Sequence, residues 1–210
     1  MSLVGMSLDK LLKYSSSLII SYRNLRSRRP CSSTTQLLIG MQALHGIKAI
    51  HDEGWVHRDI KPANLSLGAP GTGKERVVHI LDFGLARQIF VRASGAFRIR
   101  RHRKDVRFCG TNLFSSIMAD SNADQGRCDD LWSWYYTMAY ARHGLPWNSP
   151  AIRTNAEIVQ AKKATPLAQL SANCHANVAK IGDHIATLTY YSKPDYARLF
   201  HLLKDALDEP

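Results

Sequence analysis

Two short stretches constrain this 210-residue chain more than anything else in it. The first is His57-Arg58-Asp59-Ile60-Lys61-Pro62-Ala63-Asn64. It gathers a carboxylate, a cation and an amide in one segment that reads as a loop. The second is Asp82-Phe83-Gly84, another carboxylate followed by a glycine that lets the backbone turn. Val77-Val78-His79-Ile80-Leu81 is β-branched and apolar, so it reads as a strand that delivers Asp82. Residues 64–67 read as a short extended piece, and 68–74 as the turn of a hairpin joining it to that strand. The order Gly68-Ala69-Pro70-Gly71-Thr72-Gly73-Lys74 also invites a nucleotide-loop reading. That loop requires Ser or Thr after Gly-Lys and a helix beyond it, whereas Glu75 follows here without a helical pattern.

The rest of the chain reads as support for that pair. Residues 1–12 suggest a strand end, a bend at Gly5 and a short helix capped by Ser7. Residues 15–33, rich in serine and arginine, fit no period and read as a loop or insertion. Leu37, Met41, Leu44, Ile47 and Ile50 recur on one face of a helix that Ser33 or Thr34 caps and Gly54 ends. Gly40 and Gly46 weaken that helix by up to ~1 kcal/mol each and permit close packing. Residues 129–143 are apolar nearly all round, the pattern of a helix buried mid-domain, ended by Gly144 and Pro146. Two more helices are predicted over 176–188 and 194–207, the last with Pro194 in its first turn. Residues 88–108 read as a basic loop.

Composition sets outer limits. Hydrophobic residues make up 45% of the chain, ordinary for a globular protein. Nothing resembles a membrane span or a signal peptide. Cys31, Cys109, Cys128 and Cys174 form no Cys-x-x-Cys pair. They read as free thiols in a reducing compartment, which implies an intracellular protein, cytoplasmic or else nuclear. The net charge of +11 is concentrated in one segment that holds Arg98, Arg100, Arg101, Arg103, Lys104 and Arg107 against Asp105 alone. Such a cluster is solvated or takes an anion. Nucleic acid is disfavoured as that anion, because only Phe97 and Phe108 are interleaved and no nucleic-acid motif is present.

The joint pattern, H-R-D-x-K-x-x-N and then apolar-D-F-G, is far more specific than either part. Further on stand Gly110-Thr111, Ser116-Ile117, Asp129-Asp130-Leu131-Trp132-Ser133, Leu145-Pro146-Trp147 and Lys193-Pro194-Asp195-Tyr196. Through these residues the chain resembles eukaryotic protein kinases of the casein kinase 1 superfamily, and within it the tau-tubulin kinase-like branch. That branch carries Ser-Ile-Asn where this chain has Ser116-Ile117-Met118.

The resemblance implies a serine/threonine kinase that uses ATP and Mg2+ on a protein substrate, acidic or already phosphorylated. It implies Asp59, Lys61 and Thr111 as catalytic residues, and Asn64 and Asp82 as metal ligands. Val4 and Ser66, with Leu67, would touch the nucleotide, and Met1 would be the gatekeeper. His57, Arg58 and Asp130 would support the loop. Arg98, Arg100, Arg101, Arg103 and Lys104 would receive the substrate. The implied fold is mainly α with short β-hairpins, the C-terminal lobe of a kinase with its N-terminal lobe absent. Residues 1–14 would be the hinge and lobe start, 15–32 an irregular insertion, and 33–210 the lobe itself. No G-x-G-x-x-G and V-A-I-K precede the loop, so a truncated catalytic domain is expected. The alternative is a pseudokinase-like or peptide-binding module without ATP turnover.

Overall fold

A computed structural model describes residues 4–14, 31–93 and 96–209. The expected gatekeeper Met1 and most of the expected insertion, 15–30, lie outside the described residues. Elements follow in chain order: β1 (Val4–Ser7), α1 (Leu8–Tyr14), α2 (Ser33–Asp52), β2 (Trp55–Val56), β3 (Leu65–Gly68), β4 (Val78–Ile80), β5 (Arg87–Gln88), β6 (Phe90–Ala93), β7 (Ala96–Ile99), α3 (Ile117–Asp120), α4 (Arg127–His143), α5 (Asn155–Ala164), α6 (Leu167–Leu170), α7 (Ala176–Ala186) and α8 (Tyr196–Asp208). About half of the described chain is helical, so the fold is mixed α and β.

The core forms around α4. Leu131, Trp134 and Tyr135 of α4 are fully buried, and α2, α7 and α8 pack Leu44, Ile47, Ile181, Ile185, Leu199 and Leu203 into the same cluster. Gly40 lets α2 approach α4 closely. A Cβ there would strike Met138 Sδ, and the bared Gly40 carbonyl accepts from Trp134 Nε1 at 2.9 Å. Ser32 caps α2, its hydroxyl accepting from Thr35 N at 3.1 Å.

The strands are short. β1, β3 and β4 form one antiparallel sheet in that order, with Leu65 opposite Ile80. The β3–β4 pairing is the hairpin expected from the sequence, and Gly71 and Gly73 in its connection have φ of 78° and 70°. β2 pairs with β5. Residues 90–99, expected as part of a loop, instead form an antiparallel hairpin of β6 and β7. Helix starts also differ from expectation. α4 begins at Arg127, where the Asp129 carboxylate accepts from Gly126 N at 2.7 Å. α8 begins after Asp195, whose carboxylate caps Arg198 N at 2.9 Å, leaving Pro194 outside the helix.

Candidate active site

Residues 57–64 run between β2 and β3 and are held from below by α4. Asp130 Oδ2 accepts from His57 N at 2.7 Å, and its Oδ1 accepts from Arg58 N at 2.8 Å. His51 of α2 adds a 2.9 Å contact from Nε2 to Asp130, while its Nδ1 meets the hydroxyl of Tyr196 on α8. Burial favours the neutral acid at Asp130, but the His51 contacts and the two backbone donors outweigh it and hold the carboxyl below its usual range. Arg58 takes the left-handed region, φ 68°, a conformation that costs a non-glycine residue about 1 kcal/mol or more. The Asp130 brace and a 2.6 Å bond from Arg58 Nε to Leu85 O oppose that cost.

Asp59 is the centre of a closed hydrogen-bonded group. Its Oδ2 accepts from Lys61 Nζ at 2.6 Å and its Oδ1 from the Thr111 hydroxyl at 2.7 Å. Lys61 Nζ reaches the same hydroxyl oxygen at 2.9 Å. Asn64 Nδ2 donates to Asp59 O at 2.9 Å and to Oδ2 at 3.2 Å. The approach of Thr111 depends on Gly110, whose φ is 116° and whose missing Cβ would lie 2.7 Å from Arg58 O. His57 is fully buried. Its Nδ1 accepts from Asp59 N at 3.3 Å, and its Nε2 meets Leu81 O at 3.0 Å.

Leu81 N donates to Asn64 O at 2.8 Å, which brings the two predicted metal-binding stretches side by side. Asp82 is exposed and left-handed, φ 65°, with Oδ1 accepting from Gly84 N at 3.2 Å. Phe83 stands edge-on to His57 at 5.1 Å. Of the predicted nucleotide contacts, Val4 is partly exposed and pairs with Gly68. Ser66 is buried and lines a cavity of about 620 Å³ with Leu8, Leu12, Leu38 and Val78. Val4 does not line that cavity.

The predicted anion-binding residues are not equivalent. Arg98, Arg100, Arg101, Arg103 and Lys104 are all exposed. Arg103 is nevertheless engaged, with Nε and Nη2 on Asp124 at 2.9 and 3.2 Å. Arg87 shares that carboxylate. Arg100 Nε donates to Gln88 O at 3.0 Å. Among the described residues, Arg98, Arg101 and Lys104 make no ion pair.

Sequence reasoning missed His51, Tyr196, Asp124 and Lys162. Lys162 of α5 is fully buried; its Nζ donates to Asn112 O, Ser115 O and Asp120 Oδ2 at 2.6, 2.7 and 2.8 Å. It fastens the segment that begins at Thr111, and burial lowers its pKa against the pull of Asp120. The capping box Thr154–Glu157 would have announced the helix that carries it.

A central helix that braces an H-R-D loop, with an Asp-Phe-Gly turn beside it, carries the motif set of a protein kinase domain. The chain belongs to the protein kinase domain family, whose profile matches residues 14–185. A Caenorhabditis elegans protein, provisionally named a serine/threonine-protein kinase, is 35% identical over 207 residues, covering 99% of this chain and 56% of that protein. Casein kinase I homolog 3 of Schizosaccharomyces pombe is 30% identical over 212 residues, 99% of this chain and 45% of its own. A Caenorhabditis elegans protein named an inactive tau-tubulin kinase is 30% identical over 167 residues, 77% of this chain and 57% of its own. The chain spans about half the length of the first two of these. Two of these relatives, a casein kinase I homolog and a tau-tubulin kinase-like protein, carry the family names to which the sequence motifs pointed. No helix among the described residues is long and apolar enough to cross a membrane.

Proposed function

We propose that this chain carries the lower half of an ATP- and Mg2+-dependent serine/threonine protein kinase site. The observation that supports this best is the closed group around Asp59. A carboxylate held by Lys61, Thr111 and Asn64 is fixed in one orientation before any substrate arrives, and positioning is most of what phosphoryl transfer requires. In this reading Asp59 orients the substrate hydroxyl and takes its proton, and Lys61 meets the transferring phosphoryl group. Thr111 keeps the two in register.

The donor set fits magnesium. Asn64 directs its amide nitrogen at Asp59, which leaves the amide oxygen as its ligand atom, and Asp82 adds an exposed carboxylate nearby. Hard oxygens in small number are what magnesium takes from a protein. Bound ATP–magnesium supplies the phosphoryl group and neutralises charge as it moves. Phe83, next to Asp82, and Trp55 line one pocket and are 52% and 41% exposed. That supports a truncated domain, its glycine-rich loop and paired lysine belonging to an upper lobe.

Arg98, Arg101 and Lys104 are the cations this reading assigns to an acidic or phosphorylated protein substrate. Arg103 and Arg100 contribute less, since Asp124 and Gln88 already hold them. Nucleic acid and membrane are not proposed as partners, and the setting is intracellular.

The test is phosphate transfer to an acidic peptide by the full-length protein, or by this chain fused to an upper lobe. Asp59→Asn and Asp82→Asn are each expected to lower the rate by at least ~10²-fold, while the Asp59 variant still binds Mg2+-ATP in calorimetry. Full activity in both variants would overturn the assignment. A second reading, peptide binding without turnover, draws on the relative named inactive. It predicts peptide binding with no transfer in the unmutated protein.

A further inference from the structure

The turn that begins at Thr111 is held on two sides. On one side the Thr111 hydroxyl meets Asp59 and Lys61. On the other, the backbone that follows is tied down carbonyl by carbonyl. Thr111 O accepts from Phe114 N and Ser115 N at 2.8 and 2.9 Å, which closes the turn. Leu113 O accepts from Trp147 Nε1 at 2.9 Å. Asn112 O and Ser115 O, on either side of it, both accept from Lys162 Nζ, at 2.6 and 2.7 Å. Asp120 Oδ2 accepts from the same nitrogen at 2.8 Å. Three acceptors match the three donors of an ammonium.

This is a demanding way to fasten a turn. The Lys162 side chain is fully buried and the Asp120 carboxylate nearly so. Its Nζ lies 5.8 and 5.9 Å from the ring centres of Tyr136 and Trp147. Taking both charges out of water offsets most of their attraction, and an apolar pair of similar volume often stabilises a fold as well or better. An apolar side chain has no donor for the two carbonyls of the turn, however. Lys162 is also presented from a fixed base. The Thr154–Glu157 capping box starts α5, and Lys162 stands in its last turn, where the helix dipole favours a cation.

We propose that Lys162 is a positioning residue for phosphoryl transfer and acts through Thr111. By fixing the carbonyls of Asn112 and Ser115 it sets where the Thr111 hydroxyl stands, and so the orientation of Asp59 and Lys61. Lys162 does not itself reach that pair, since its bonds end on Asn112, Ser115 and Asp120. The proposal rests on the assignment of Asp59, Lys61 and Thr111 to the reaction. It separates two effects of one side chain: the ion pair with Asp120 bears on stability, and the two carbonyl bonds bear on turnover.

The test compares Lys162→Met with the double variant Lys162→Met/Asp120→Asn in the full-length protein. The single variant strands the Asp120 carboxylate and both carbonyls. The double variant removes the stranded charge and leaves the carbonyls without their donor. Transfer to the acidic peptide, urea unfolding and hydrogen exchange across residues 111–116 are measured on each. In both variants kcat is expected to fall by about 10²-fold, the scale of a small misplacement of catalytic groups, with KM for Mg2+-ATP unchanged. Exchange across 111–116 is faster in both. The urea midpoint, lowered in the single variant, recovers in the double variant while kcat does not. Where Lys162→Met alone does not fold, the double variant carries the test. Turnover that returns together with stability, or exchange that matches the unmutated protein, would overturn the proposal and leave Lys162 a purely structural residue. Absence of transfer in the unmutated protein would instead overturn the assignment of Asp59, a result told apart from the first by hydrogen exchange, which needs no turnover.

Discussion

The two most polar regions of this molecule are built in opposite ways. Around Asp59 the polar atoms are tied to one another and to Thr111, Leu81 and Leu85, and the loop is braced through Asp130, His51 and Tyr196 by three helices. In the basic segment Arg98, Arg101 and Lys104 are exposed, and among the described residues only Arg103 and Arg100 are tied down. The difference separates two tasks. A carboxylate that must point in one direction is fixed in advance by its neighbours. Cations that must accept an anion of variable shape are left in water, where holding a long side chain still would gain little.

The comparison can be broken first at the brace. Asp130→Ala strands two backbone donors and His51 in a buried site, and a loss of about 3–5 kcal/mol is expected in urea unfolding. A loss below about 1 kcal/mol would mean that the loop does not depend on α4. The brace also has a pH signature. A carboxyl held below its usual range stabilises the fold fully above its ordinary pKa and loses that contribution as pH falls through its folded value. The stability gap between the unmutated chain and Asp130→Asn should therefore narrow as pH is lowered below about 4, followed by thermal melts. Arg103→Ala should lower stability far less than Asp130→Ala in the same urea titration, because the side chain is largely exposed and Arg87 still holds Asp124. Smallest of all, Arg101→Ala and Lys104→Ala should change stability by under ~0.5 kcal/mol. They should nonetheless flatten the salt dependence of phosphopeptide binding. Unchanged salt dependence in the double variant would remove the basic segment from substrate recognition.

The same contrast explains what the sequence disclosed. The H-R-D loop, the β3–β4 hairpin and α4 were readable because local pattern and tertiary role coincide there. A β-branched run leads to Asp82, and a helix apolar on all sides has to be central. Lys162 was passed over because nothing in its local sequence marks it for burial, and only its three-dimensional neighbours make it a buried tie. β6 and β7 were hidden in the same way, their alternation masked by the arginines around them. His51 gave no local signal, since its partners Asp130 and Tyr196 lie 79 and 145 residues away. Even in the recognised cluster, the sequence did not separate Arg103, neutralised by Asp124, from Arg101.

The contact from Tyr196 to His51 has a consequence for the far end of the chain. Tyr196 opens the last helix, yet its hydroxyl is only two side chains from the peptide groups of His57 and Arg58. Loss or unravelling of α8 would thus be felt first as a loosened H-R-D loop. The C-terminal helix is in that sense a distant wall of the active site, and a truncation before residue 196 should behave like a lesion within it.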